Sequence, residues 1–96
     1  MKQPYVYILA SAPRGTLYIG VTGQLRERIW QHRMGLLPGF TSRYAVHRLV
    51  WFEAQPDFPS AIHRETCIKR WRRLWKLQLV EASNPQWHDL WDDIAP

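Results

Sequence analysis

The chain opens with two aromatic and β-branched runs, Tyr5 to Ala10 and Thr16 to Val21, separated by the turn formers Ser11, Pro13 and Gly15. Runs of that composition around such a break predict a β-hairpin. Beyond Gly20 and Gly23 the period changes. Leu25, Arg28, Ile29 and His32 fall at i, i+3, i+4 and i+7, which predicts a first helix from Leu25 to Arg33. Gly35, Pro38 and Gly39 end it, and residues Gly39 to Tyr44 read as a mixed polar and aromatic loop whose Gly, Thr and Ser suit close backbone approach to a ligand. Leu49 to Ala54 is a third strand, closing onto the hairpin before Pro56 and Pro59 interrupt the pattern. Ser60 is the expected N-cap of the next helical segment. From Ala61 the seam Ala61, Glu65, Ile68, Arg72, Trp75, Leu79 keeps helical spacing, with Trp71 and Leu74 widening its apolar face. One long helix or two abutting helices fit it. The tail from Asn84 contains Trp87, Leu90, Trp91 and Ile94, and should pack back onto the body.

Composition bounds this picture. Ninety-six residues, 46% of them apolar, suit one domain over residues 1–96 with one core. The expected class is α/β of the α+β type. A single cysteine, Cys67, excludes an internal disulfide and a multi-cysteine zinc site, and the first ten residues lack a signal-peptide pattern, so a reducing cytoplasm is expected. No apolar run approaches the ~18 residues of a membrane span, and no membrane partner is expected. Thirteen Lys and Arg against eight Asp and Glu give a formal charge of +5, which favours polyanionic partners. Much of that charge lies in one stretch, Arg64, Lys69, Arg70, Arg72, Arg73 and Lys76, which reads either as a phosphate-binding surface or as a solvated helix face.

Hydrolysis of a phosphodiester requires a group to deprotonate water, positive charge where negative charge builds on phosphorus, and a metal to stabilise the leaving oxygen. Tyr7 and Tyr18 lie on the paired strands, where the two-residue parity can put both hydroxyls on one face. Arg28 comes next, on the first helix. Glu65 occupies an otherwise apolar seam, where an unpaired carboxylate is costly unless it meets a cation or a metal. Singly, each of these residue types is more often a packing or solvated group; the ordered set is what points to a site.

In these features the chain resembles the GIY-YIG nuclease superfamily. The first family tripeptide appears as Tyr5-Val6-Tyr7, with Tyr5 where glycine is usual, and the second is intact as Tyr18-Ile19-Gly20. The stretch from Leu25 to His32 looks like the family's first helix, with Arg28 at its catalytic arginine and His32 at a position often holding His or Tyr. Ile62-His63-Arg64-Glu65 resembles the segment that carries a metal-binding glutamate. YVYILAS, LYIGVT, RLVWFE and KRWRRLWK together are similar to small stand-alone bacterial members. The matching core covers residues of about 4–84.

The resemblance implies a small three-stranded antiparallel sheet flanked by helices. It implies a metal-dependent endonuclease acting on DNA, with RNA as another possible partner and with repair or branched intermediates as substrates. Tyr7 or Tyr18 would help activate water while Arg28 stabilises the transition state, and His32 is either a further catalytic site member or a hydrogen-bonded packing group. Glu65 would bind one Mg²⁺ or Mn²⁺, and Asn84 is a further site member by family position. If the basic stretch is a phosphate-binding surface, Arg64, Lys69, Arg70, Arg72 and Arg73 would bind the nucleic acid. The alternative is a nucleic-acid-binding module of the same fold with weak or absent catalysis. His47, His63 and His88 show no metal-ligand spacing and are expected at the surface. Cys67 is expected as a buried small hydrophobe, and the tryptophans mostly as core.

Overall fold

The computed structural model describes residues 2–37 and 39–94. In chain order its elements are β1 (Tyr5–Ala10), β2 (Leu17–Thr22), α1 (Leu25–Arg33), α2 (Phe40–Arg43), β3 (Arg48–Ala54), α3 (Phe58–Arg70), α4 (Arg73–Ser83) and α5 (Trp91–Ile94). The three strands form one antiparallel sheet in the order β2-β1-β3, so the strand carrying Tyr7 is central. The β1–β2 turn closes through the Gly15 N–H, which donates to Ala12 O at 2.9 Å, and Arg14 takes the left-handed conformation at φ 57°.

Alternation along β1 sorts the core into two halves. Val6, Ile8 and Ala10 face one way, with Ile19 of β2, and are covered by Ala61 and Ile68 of α3, Leu77 and Val80 of α4, and Trp87. Tyr7 and Leu9 face the other way and pack under Leu25 and Ile29 of α1, together with Val46 and Leu49. Helices therefore lie on both faces. A register shift opposite Ile8 and Leu9 lets Val50 and Trp51 of β3 join the first half while Leu49 and Phe52 serve the second. The tail does pack back: Leu90, Trp91 and Ile94 border the α1 side, and Trp87 is buried on the other.

Helix ends show where local chemistry departs from the sequence expectation. α1 stops in a Schellman arrangement: Gly35 sits at φ 68°, its N–H donates to His32 O, and the Leu36 N–H donates to Gln31 O. The N-cap of α3 is Asp57, not Ser60. Its carboxylate accepts from the Ser60 N–H at 2.8 Å, and Pro59 sits inside the first turn, where its missing N–H leaves no bond unmade. Residues Phe40–Arg43, expected as loop, make one helical turn.

The long seam divides into two helices. Trp71 and Arg72 are extended, with ψ 150° and 154°, and this break resets the helical phase. Consequently Leu77 and Val80, not Trp75 and Leu74, become the buried stripe of α4, and Leu74 and Trp75 stand half exposed. Of the tryptophans only Trp51 and Trp87 are buried core. Cys67 is also only half-buried, since it lies off the Ala61–Ile68 stripe, with Sγ 3.6 Å from Nε2 of the exposed His63.

Candidate active site

Pairing in the hairpin sets the first three groups of the site. Tyr7 is opposite Gly20 and Leu9 is opposite Tyr18, so the two tyrosines occupy diagonal positions on one face, with ring centroids 6.3 Å apart. Gly20 is required by this packing. A Cβ there would lie 2.5 Å from both Cζ and the hydroxyl oxygen of Tyr7, so only glycine lets the phenol cross the β2 backbone. From the helix above, His32 meets both rings, at 5.8 Å from Tyr7 and 5.6 Å from Tyr18.

A hydrogen-bonded chain runs through these groups. The Tyr7 hydroxyl and His32 Nε2 are 3.0 Å apart, and His32 Nδ1 is 3.0 Å from the hydroxyl of the buried Thr41. Each ring nitrogen of His32 therefore has a hydroxyl partner. Thr41 is not among the sequence candidates. Its only signal there is membership of the Gly39–Tyr44 segment, because a Thr that orients a histidine nine residues earlier is visible only once α1 and α2 are packed.

Burial pushes the Tyr7 phenol well above its ordinary pKa; Tyr18 adds to that rise, Arg28 opposes it and Glu65 adds to it. Arg28 lies on α1, the helix that also carries His32, whereas Glu65 lies on α3, which covers the opposite face of the sheet. β2 is an edge strand, and α3 packs closely against it. Burial, then the charge of Arg28, then His47, lower His32 from 6.5 to about 4, so its imidazole is neutral at neutral pH. Arg28 itself is exposed, and Glu65 is largely shielded, with its side chain 19% accessible and its carboxylate 3.4 Å from Lys69 Nζ. Among the described residues no group of three His, Cys, Asp or Glu side chains is arranged to hold a metal.

The remaining candidates are distributed differently. Asn84 is buried at the C-cap of α4, where Nδ2 donates to Val50 O and His88 O while Oδ1 accepts from the His88 N–H. Both of its donors are consumed by main chain. Arg64 lies over Trp51 and Trp71 and pairs with Glu53 at 3.0 Å, Arg73 donates to the carbonyls of Arg14 and Gly15, Arg72 stacks over Trp75, and Lys69 holds Glu65. Arg70 is exposed without such a contact among the described residues. Tyr5, standing where the family motif has glycine, packs edge-on against Phe52 at 6.0 Å and borders a groove of about 820 Å³ that also contacts Trp30 and Trp91. That groove opens beside Tyr5, not over the Tyr7 hydroxyl.

The central Tyr7 crosses the glycine of Tyr18-Ile19-Gly20, under a helix bearing Arg28 and His32. Residues 3–78 match the GIY-YIG catalytic domain, and the chain belongs to the GIY-YIG family, a nuclease family. Among curated relatives it is similar to the UPF0213 protein of Syntrophus aciditrophicus, with 33% identity over 90% of this chain and 98% of that one. A UPF0213 protein of Clostridium perfringens is 36% identical over 83% of this chain and 85% of its own length. The solution NMR structure of a UPF0213 protein from Bacillus halodurans superposes with a TM-score of 0.57 at 31% identity, covering 91% of this chain and 92% of the other. No helix among the described residues is long and apolar enough to cross a membrane.

Proposed function

We propose that this chain is a divalent-metal-dependent endonuclease that hydrolyses phosphodiester bonds in DNA, in the repair or processing of branched or damaged molecules. The observation that carries the reading is the Tyr7–His32–Thr41 hydrogen-bonded chain, with Arg28 exposed on the same helix as His32. Such a chain relieves the main difficulty of a tyrosine base. A phenol held above its usual pKa does not ionise at neutral pH, but it can take a proton from water while passing its own to His32 Nε2. Thr41 then accepts from Nδ1–H and fixes the tautomer. As negative charge grows on the phosphate in the transition state it offsets the Arg28 charge that helps depress His32, and the imidazole becomes a better acceptor. Arg28 is exposed and free to meet negative charge growing on phosphorus.

The donor set fits one hard cation. Glu65 is a single shielded carboxylate, and Mg²⁺ is ordinarily held by one or two carboxylates with waters and substrate phosphate oxygens. When bound, the ion would supply charge to the phosphate and leaving oxygen. Glu65 must release Lys69 to take it.

The test is cleavage of single-stranded, duplex and branched DNA with Mg²⁺ or Mn²⁺ by the wild type beside Arg28→Ala and Glu65→Gln. Both variants should lose roughly 10² to 10³ in rate and keep their DNA affinity, because the lost contacts belong to the transition state. Cleavage by neither metal, or rates untouched by both substitutions, would replace the enzyme with a binding module.

A further inference from the structure

Two aromatic rings beside the site are left in solvent. Phe40 is 45% exposed and Tyr44 49%. They are not isolated, since Phe40 stacks on Tyr18 with centroids 6.2 Å apart and an interplanar angle of 28°, and approaches Tyr44 at 4.8 Å. Tyr18 in turn lies 5.6 Å from His32. A run of rings therefore leads from the buried hydrogen-bonded chain to the open surface. The segment holding it is anchored, because Thr41 bonds His32 through its side chain and accepts from the Val46 N–H at 2.9 Å. Arg43 adds a guanidinium 5.7 Å from the Tyr44 ring.

We infer that Tyr18, Phe40 and Tyr44 form a stacking platform for unpaired bases, so that the substrate carries a single-stranded segment next to the phosphate that is cut. This rests on the nuclease reading above. Aromatic rings accept any base face, and unpaired bases offer faces that a duplex keeps stacked inside. Charge selects the partner: Arg43 at the rim and a formal +5 on the chain repel a second copy and attract a polyanion.

Anisotropy of a dye-labelled single strand and of a blunt duplex of equal length, measured on the full chain in EDTA, separates binding from cleavage. The wild type should hold the single strand more tightly. Phe40→Leu and Tyr44→Leu should each weaken it about tenfold and leave duplex affinity unchanged, while Phe40→Trp keeps it. Circular dichroism confirms folding, and Tyr44→Leu, at the far end of the run, serves if Phe40→Leu unfolds. Wild-type affinity in both leucine variants, or equal loss for single strand and duplex, overturns the platform. So does a dimer in sedimentation that Phe40→Leu dissociates. A protein that cleaves nothing yet shows this single-strand preference loses the nuclease reading and keeps the platform; one that cuts intact duplex at the same rate with and without Phe40 does the reverse.

Discussion

Gly20 and His32 show how single residues set the chemistry. Gly20 has an ordinary strand conformation, and its necessity comes from the Tyr7 ring 2.5 Å from where a Cβ would be. That ring is buried and its hydroxyl is bonded to His32, so it can yield only by disturbing the core. Gly20→Ala should therefore destabilise the fold by roughly 1–3 kcal/mol in urea unfolding and displace the phenol from His32. A wild-type midpoint in that variant would mean that the ring has room to move. His32 makes a different prediction, because its folded pKa of about 4 lies below the unfolded value of 6.5. The unfolded chain binds the proton first, so this contribution is fully present above pH 6.5 and disappears as pH falls towards 4. It amounts to roughly 3 kcal/mol. Thermal unfolding between pH 7 and 4 should show the decline, and His32→Gln should flatten it.

Elements are readable where local pattern and tertiary demand agree. The hairpin comes from two β-branched runs around Pro13 and Gly15, and α1 from a clean three-and-four spacing closed by Gly35. The break between α3 and α4 is only half visible, as no Gly or Pro marks Trp71 and Arg72. It arises because α3 must cover the sheet at Ala61 and Ile68 while α4 turns to bring Leu77 and Val80 onto the same core. Asp57 is hidden as a cap because Pro59 reads as a breaker, although proline is well accepted in a first turn. Asn84, a site member expected from family position, is a buried clamp in the structure. Its amide ties the end of α4 to β3 and to His88, and no linear pattern announces such a clamp. Asn84→Ala leaves the buried Val50 carbonyl short of a donor, which should cost about 1–3 kcal/mol in chemical denaturation. The cleavage rate of the folded variant, measured well below its melting temperature, should match wild type. A rate loss without a stability loss would instead place Asn84 at the substrate.

At the scale of the whole molecule, the basic stretch that reads as one surface in sequence is divided by the fold. Arg64 is paired with Glu53 between two tryptophans and Arg73 braces the β1–β2 turn, so these cations hold the protein together. The four ion pairs among the described residues each remove one positive and one negative charge, which leaves the formal excess of +5 to be carried by other groups. Exposed Arg70 and Arg72 are the members of the stretch best placed to meet phosphates. Counterion release makes this measurable, because the logarithm of affinity falls with the logarithm of salt by about 0.9 for each phosphate neutralised on duplex DNA. Arg70→Ala and Arg72→Ala should each reduce that slope by about one unit without lowering the melting temperature. Arg64→Ala should do the opposite, leaving the slope intact and destabilising the fold, since it removes the ion-pair partner of Glu53 and uncovers Trp51 and Trp71. A slope that drops for Arg64→Ala and stays fixed for the other two would return the phosphate-binding role to the α3 flank that faces Glu53.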